Sequence, residues 1–362
     1  MAAIARKGSA AELNRGLDEQ RQRPPSEGDA AFSFFSGQFA ERDEGEYNSP
    51  IGADKYGPVR DVMPVQQLNG TRIYYEVYGH GDPIIFIPGI AVSHGMWAPQ
   101  VETFSRTNRV ILYDVRGTGR SGPMTWTTRL TDHARDLAAL LRFLQIEGAV
   151  VCGVSFGGVI AQRFALDYPH RCRALVLVDT FSELDPADSE EAALIRMTWL
   201  ASPLFLLPKS WLTPIILNMY SRWPFAQRHL RSEIPKIRGL DAMKTRWMIR
   251  GVNLTGELSR IQSPCLGIVG GESTLAIRLM QRVVDAIPGA SLEQVPHAFD
   301  PTSLTGREDF DRLLGRFLQS LGATEQGEET SGPLSQAMKQ AGRASISNVI
   351  RFRPRREAIG KS

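Results

Sequence analysis

A serine that could act as a nucleophile lies at position 155, between two glycines and at the junction of a strand-like run with a helical pattern. The apolar run Val150–Cys152 leads into Gly153-Val154-Ser155-Phe156-Gly157, and a helical pattern follows at once. Small residues two places before and after the serine permit a sharp strand-to-helix turn that lifts the hydroxyl off the sheet. A hydroxyl in front of a helix N-terminus suits nucleophilic attack on an acyl carbon. A glycine-rich turn without chemistry is the alternative interpretation.

The elements that must hold this turn are strands alternating with helices. Apolar strand-like runs separated by amphipathic segments predict an α/β fold, a mostly parallel sheet wrapped by helices. The predicted strands are Arg72–Val77, Pro83–Ile87, Arg109–Asp114, Ala149–Gly153, Ala174–Asp179, Cys265–Val269 and Ser291–Val295. The predicted helices include Thr131–Leu144, Phe156–Leu166, Ala276–Ile287 and Glu308–Leu321.

One segment interrupts the alternation. Residues 182–255 contain no strand-like run but several apolar helical patterns rich in tryptophan. Prolines and charged residues break every run of the length that a membrane span requires. We therefore predict a helical cap inserted into an α/β core of residues 61–181 and 256–321. Residues 1–60 and 322–362 are predicted to be flexible extensions, the second of them basic.

Three motifs together resemble the α/β-hydrolase superfamily, over residues 65–321. The Ser155 turn matches the family's nucleophile elbow. In the family, a strand is followed directly by a His-Gly pair. This pattern is similar to Phe86-Ile87-Pro88-Gly89-Ile90, in which Pro88 replaces the histidine. The segment from Asp114 to Ser121 resembles its D-x-R-G-x-G-x-S loop. The resemblance implies that the N–H groups of Ile90 and Phe156 form an oxyanion hole.

The same loop contains a formal match to the dinucleotide-binding fingerprint at Gly117, Gly119 and Gly122. That fingerprint requires a helix to begin at the glycines, because the helix N-terminus holds the pyrophosphate. Here Pro123 follows directly, and no helical pattern begins until Thr131. We therefore reject a dinucleotide site and predict no organic cofactor.

The resemblance breaks at the two partners of the nucleophile. An ungapped match after the Cys265–Val269 run puts Ser273 at the family's usual aspartate, and a second match after Ser291–Val295 puts Asp300 at its histidine. The base could then be His297, three residues early in the right loop. His94 could line the pocket from an unusual side.

Three carboxylates are candidates for the remaining roles. Asp179 ends a strand at a position that some superfamily members use for the acid, although it often serves only structurally there. Glu272 lies next to the expected acid. Asp300 could orient a water, or transfer a proton if burial raised its pKa. His297 could also be an ordinary exposed loop residue.

Composition limits the partners. The 362 residues carry 42 Lys and Arg against 39 Asp and Glu, so the net charge of +3 gives no reason to expect nucleic acid as a partner. The three cysteines are too few and too scattered for a disulfide framework or a zinc site, and no other metal site is predicted. The first twenty residues lack the apolar core of a secretory signal. We expect a cytoplasmic protein without a membrane span, whose basic tail could touch an anionic surface; the oligomeric state is left open.

Three functions follow as hypotheses. The first is a serine hydrolase that cleaves an ester, thioester, lactone or amide of a mainly apolar small molecule. Its motivation includes the apolar residues of the predicted cap, although most of these residues are expected to form the cap's own core. The second is a catalytically degenerate member that binds a ligand or acts as a scaffold. The third is a non-hydrolytic enzyme, such as a lyase or cyclase, that uses Asp300 as an acid–base group.

Overall fold

The computed structural model describes residues 64–322. The extension 1–60 and the tail beyond residue 322 lie outside them. Eight strands form one sheet within this range, in the spatial order β1-β2-β4-β3-β5-β6-β7-β8. They are β1 Val65–Leu68, β2 Thr71–Tyr78, β3 Asp82–Ile87, β4 Asn108–Tyr113, β5 Ala149–Val154, β6 Cys172–Val178, β7 Cys265–Gly270 and β8 Ser291–Val295.

Strands β3 to β8 run parallel, whereas β1–β2 and β2–β4 pair antiparallel. The predicted fold class is confirmed. Strand β1 is not among the predicted strands: its sequence, Val-Gln-Gln-Leu, is only four residues long and does not alternate between apolar and polar residues. It pairs with β2 through a turn at Asn69 and Gly70, which both adopt positive φ.

Helices cover both faces of the sheet. They are α1 Ala98–Phe104, α2 Leu130–Phe143, α3 Phe156–Asp167, α4 Ser189–Leu200, α5 Lys209–Met219, α6 Pro224–Glu233, α7 Gly239–Ile249, α8 Thr274–Ala286, α9 Thr302–Thr305 and α10, residues 307–322. Two buried apolar clusters lie on the two faces, one under α2, α3 and α8 and the other under α1 and α10. Within the described residues, none of the helices has both the length and the apolar character needed to span a bilayer.

Residues 182–255 form the helical insertion, which contains α4 to α7 and no strand. Its ends meet: Leu254 N–H donates to the Ser182 carbonyl at 2.9 Å, and the Ser182 and Thr255 hydroxyls are 2.6 Å apart. Glu183 and Asn253 also form an isolated β-bridge. An insertion closed at its base in this way leaves the parallel sheet uninterrupted.

The helical insertion contacts the loops that follow β3, β4 and β8. Glu233 accepts a hydrogen bond from the Ser93 hydroxyl at 2.5 Å, and Arg238 donates to the Ser121 carbonyl at 2.7 Å. Trp223 donates to the carbonyl of His297 at 2.7 Å. Because these loops all leave the carboxyl ends of parallel strands, the insertion lies over that edge of the sheet, where ligands bind in open α/β folds.

Candidate active site

Ser155 occupies the apex of the turn between β5 and α3. Its backbone has φ 52° and ψ −119°, a conformation that L-residues other than glycine rarely adopt. The turn is fixed by a hydrogen bond from Ser155 N–H to the Val178 carbonyl at 2.8 Å and by one from the Thr180 hydroxyl to the Ser155 carbonyl at 2.6 Å. Such a strained position at a strand end is typical of functional sites.

The flanking glycines have no space for a side chain. A Cβ on Gly153 would lie 2.3 Å from the Gly157 carbonyl oxygen, and one on Gly157 would lie 2.3 Å from the Ile87 carbonyl oxygen. Gly89 lies beside the serine, since its ideal Cβ would be 3.5 Å from the Ser155 Cβ. The spacing of the motif is therefore a steric requirement of this turn.

The two predicted oxyanion donors border the same serine. Phe156 is the first residue of α3, so its N–H has no partner within the helix. Ile90 follows Gly89, and no main-chain hydrogen bond of its N–H is found among residues 64–322. Neither N–H group has a main-chain acceptor outside the regular helices and strands among the described residues.

The residue at the family's usual acid position after β7, Ser273, caps a helix. Ser273 is the N-cap of α8, and its hydroxyl accepts a hydrogen bond from the Ala276 N–H at 3.2 Å. Capping of this kind stabilises a helix by about 1 kcal/mol. The serine therefore has a structural role at the place where the resemblance expects an orienting carboxylate.

The histidine predicted as base points into solvent. The His297 side chain is 90% exposed, and its Nδ1 lies 3.6 Å from Glu272 Oε1. Glu272 in turn bonds Arg222 at 2.9 Å, and this contact chiefly lowers the pKa of Glu272. Within residues 64–322 no hydrogen bond joins the Ser155 hydroxyl to His297 or to any other side chain. The structure thus brings His297 and Glu272 to each other, and not to the serine.

Asp179 is buried behind the turn. Its carboxylate accepts hydrogen bonds from Gly270 N–H at 3.0 Å, from Thr302 N–H at 2.6 Å and from the Thr302 hydroxyl at 2.8 Å. It therefore ties the end of β7 to the loop after β8. The residue after it is Thr180, which bonds the Ser155 carbonyl. Burial outweighs the three hydrogen bonds and raises the pKa of Asp179.

Asp300 lies in the loop that Asp179 anchors. The residue as a whole is half-buried, yet its carboxyl group is surrounded by protein. Removal from water, together with the negative charge of Asp179, raises the pKa of Asp300 well above its usual range. The Asp300 carbonyl accepts a hydrogen bond from the Tyr220 hydroxyl of the helical insertion at 2.7 Å. The pair Asp179–Asp300 thus stands where the resemblance expects an acid and a histidine.

A second buried cluster lies farther along the same edge. His94 Nδ1 is 2.8 Å from Asp114 Oδ1, and His94 Nε2 is 3.5 Å from Glu76 Oε1. Glu76 also accepts hydrogen bonds from the hydroxyls of Tyr74 at 2.5 Å and Tyr78 at 2.6 Å. Burial alone would lower the pKa of His94, but the two carboxylates outweigh it and raise the pKa to about 10.

His94 is therefore an imidazolium at neutral pH, which cannot accept a proton from a serine. Sequence reasoning considered His94 only as a pocket residue and did not find its partners. Glu76 gave a signal, because it is a charged residue inside the strand Thr71–Tyr78. Asp114 gave another, as the first residue of the D-x-R-G-x-G-x-S loop.

The apolar residues that suggested an apolar substrate divide into two groups. Phe205 and Ile216 pack against a small core of the helical insertion. Leu204, Leu206, Trp211, Ile215 and Met219 are exposed instead. The expectation that such residues are mostly cap core is wrong for this second group.

Comparison with known proteins gives consistent results. A family model described as the alpha/beta hydrolase fold matches residues 82–208. The RutD protein of Azorhizobium caulinodans, which carries the name of a carbamate hydrolase, is 35% identical over 159 residues, covering 41% of this chain and 60% of that protein. A RutD protein of the same name from Caulobacter sp. is 29% identical over 267 residues, covering 68% of this chain and 95% of that one.

Solved structures agree on the fold. The enol-lactonase from Burkholderia xenovorans superposes with a TM-score of 0.62 at 22% identity, over 71% of this chain and 100% of that one, and this likeness concerns the fold alone. Est816, described as an N-acyl homoserine lactone degrading enzyme, superposes with a TM-score of 0.57 at 28% identity, over 70% of this chain and 100% of that one. Together the relatives support an enzyme of the hydrolase class. The cytoplasmic location and the absence of a nucleic-acid partner stay predictions.

Proposed function

Because the chain belongs to the α/β-hydrolase superfamily, we propose that it hydrolyses an ester, thioester, lactone or amide bond of a small molecule. Carbamates are included in this bond class, and Ser155 is the nucleophile. The observation that carries the proposal is the strained Ser155 at the apex of the β5–α3 turn, beside the N–H groups of Ile90 and Phe156. The names of the RutD proteins and of the lactone-degrading neighbour support this bond class.

The first half of the reaction forms an acyl-enzyme. The Ser155 Oγ attacks the carbonyl carbon, and its proton passes to a base. The carbonyl oxygen gains the negative charge, which the N–H groups of Ile90 and Phe156 stabilise. When the bond to the leaving group breaks, the leaving group takes the proton. In the second half, water attacks the acyl carbon and gives one proton to the same base. The bond between the acyl carbon and Ser155 Oγ then breaks, the base passes that proton to Oγ, and the acid product leaves with the remaining hydroxyl group.

We assign the base to Asp300, directly or through one water. An ordinary carboxylate is a poor base for a serine because its pKa is about 4. The raised pKa of Asp300 brings it closer to the working pH, which favours proton transfer. Since Asp300 accepts a proton only when ionised, hydrolysis should increase as the pH rises through this pKa. Asp179, with three hydrogen bonds, keeps the loop of Asp300 in place.

The test is turnover on a panel of p-nitrophenyl esters, γ-lactones and aryl carbamates. The variant Ser155→Ala should reduce kcat/KM by about a thousandfold or more, because nucleophile removal eliminates the covalent route. The matched control is Ser210→Ala, an exposed serine in the helical insertion, which should leave turnover unchanged. Full activity in Ser155→Ala, combined with its loss in Asp300→Asn, would instead indicate hydrolysis by a water that Asp300 activates, without a covalent intermediate on the serine.

One observation favours a second candidate, a binding member without hydrolysis. Ser273 caps a helix and the His297 side chain is 90% exposed, so the usual partners of the serine are both missing from its side. A ligand that raises the melting temperature, with no turnover on the whole panel, would support this candidate over the hydrolase.

A further inference from the structure

The exposed apolar residues of the helical insertion form a surface that the proposed reaction does not use. Among the residues whose burial the structure describes, most of the large apolar side chains that are exposed belong to this insertion. We define the insertion apolar surface by the end of α4, the turn after it, α5 and the start of α7. Its members are Met197, Leu200, Leu204, Leu206, Trp211, Ile215, Met219 and Leu240.

Helix α5 has two apolar faces. Leu212 and Leu217 are buried against the insertion's own core. Trp211, Ile215 and Met219 recur every four residues, so they form one stripe along the other side of the helix. Their exposed fractions are 66%, 39% and 55%. The stripe is therefore an apolar face without a partner in the described residues.

The other members lie next to this stripe in the fold. An ideal Cβ on Gly239, the residue before Leu240, would lie 3.6 Å from the Leu206 Cα. Arg246 of α7 bonds the Ser202 hydroxyl at 2.9 Å and the Thr198 hydroxyl at 3.1 Å, which joins α7 to the turn and to α4. Only residues 207 and 208 separate that turn from α5.

The segment that carries this surface is mainly basic, although the insertion also contains five acidic residues between positions 183 and 191, ahead of that segment. Residues 192–250 contain ten Lys and Arg but only two Asp and Glu. Both acidic residues are buried and paired: Glu233 with Lys236 at 2.7 Å, and Asp241 with Arg238 at 2.7 Å. Every exposed charge in this segment is therefore positive. Arg196 lies four residues before Leu200, on the same face of α4.

We propose that the insertion apolar surface rests on an anionic lipid bilayer, as a peripheral contact. Exposed Leu, Ile, Met and Trp side chains surrounded by Lys and Arg are typical of segments that lie in the membrane interface. Anionic lipids supply the negative charge that the exposed arginines attract. The basic surroundings argue against a second copy of the chain, since a symmetric contact would place like charges together.

The distribution of the apolar residues argues against a peptide. They lie on three helices and a turn as protruding side chains, and a bilayer accepts such an arrangement without shape complementarity. A peptide segment would need a groove or an open strand edge.

The experiment is co-sedimentation of the full chain with vesicles, at low salt. Vesicles of phosphatidylcholine with 30% phosphatidylglycerol should bind the protein at least about tenfold more tightly than pure phosphatidylcholine vesicles. The variant Trp211→Gln/Ile215→Gln should weaken binding to the anionic vesicles by about tenfold or more.

The matched control is Trp126→Gln/Val65→Gln, which removes an indole exposed at 62% and an aliphatic side chain exposed at 39% outside the insertion. This variant should bind vesicles like the natural chain, and the melting temperatures of both variants should stay near that of the natural chain. No binding of the natural chain to anionic vesicles would overturn the proposal. Unchanged binding of Trp211→Gln/Ile215→Gln would also overturn it and would point to another basic segment, such as the tail. A shift from dimer to monomer in that variant, by sedimentation velocity, would show that a second copy covers the surface.

Discussion

The two buried carboxylate clusters at the carboxyl edge of the sheet differ in how their charge is balanced. Glu76 and Asp114 share the cation His94, and their hydrogen bonds with it lower the pKa of both carboxyls despite burial, that of Glu76 to about 2. Among residues 64–322 no ion pair joins Asp179 or Asp300 to a cation, and burial raises the pKa of both carboxyls. The first cluster keeps its charges fixed, as a structural network does, whereas the second can take up and release a proton.

The strongest way to break the first cluster is to remove its cation. The variant His94→Gln should lower the free energy of unfolding by about 3–5 kcal/mol, because it leaves two buried carboxylates without a positive partner. The measurement is urea denaturation. His170→Gln, at an exposed position, is the control and should change stability by less than about 0.5 kcal/mol.

This loss should depend on pH. The folded pKa of His94 is about 10, above its usual 6.5, so its contribution is complete below pH 6.5 and disappears as the pH rises towards 10. The folded pKa of Glu76 is about 2, below its usual 4.5, so its contribution is complete above pH 4.5 and disappears as the pH falls towards 2. The difference between the natural chain and His94→Gln should therefore be largest between pH 4.5 and 6.5. A difference that does not vary with pH would contradict the assigned charges.

The second cluster is tested by its effect on catalysis. Asp300→Asn should lower kcat/KM by about a hundredfold, because an amide cannot take the serine proton. It should also remove the rise of kcat/KM with pH. Asp311→Asn is the matched control, since Asp311 also has a raised pKa but lies in α10 and bonds Gln100 and Thr103 of α1. A hundredfold loss in this control would show that the effect is structural.

The variant Asp300→Asn should also stabilise the fold. The folded pKa of Asp300 is raised above its unfolded value, so the protein loses stability as the pH rises from the unfolded pKa towards the folded one. Asp300→Asn avoids that loss and should gain about 1 kcal/mol at pH 8, with a smaller gain near pH 4. Urea denaturation at both pH values measures it. A lower stability at pH 8 would mean that the Asp300 carboxyl forms favourable contacts of its own.

The smallest effect is expected at His297. Because the His297 side chain is 90% exposed and its contact among the described residues is with Glu272 at 3.6 Å, His297→Gln should change kcat/KM by less than about twofold. The assay is the same ester panel. A loss of a hundredfold or more would return the role of base to His297.

The fold and the sharp turn at Ser155 could be predicted from the sequence, because both follow from local rules. The G-x-S-x-G spacing is a steric requirement, as the 2.3 Å approaches at Gly153 and Gly157 demonstrate. The strand runs were recognisable since strands buried on both faces are nearly continuously apolar. Strand β1 escaped notice because Gln66 and Gln67 interrupt its pattern.

The partners of the serine could not be predicted in the same way. Motif alignment located Asp300 and Asp179, but their shared burial and their link through Thr302 depend on loops brought together by the tertiary fold. The exposure of His297 and the capping role of Ser273 likewise follow from the course of those loops. The ion pairs of His94 connect three separate parts of the chain. Glu76 lies in β2, His94 follows β3 and Asp114 follows β4, and these parts are adjacent only in the folded sheet.

The most direct measurement of the central claim is covalent labelling of the full chain by a fluorophosphonate, followed by intact-mass and peptide analysis. We expect one probe per chain, attached to Ser155, with labelling abolished in Ser155→Ala and kept in Ser210→Ala. A chain that stays unlabelled at saturating probe, or a label that persists in Ser155→Ala, would contradict the role of Ser155 as the nucleophile.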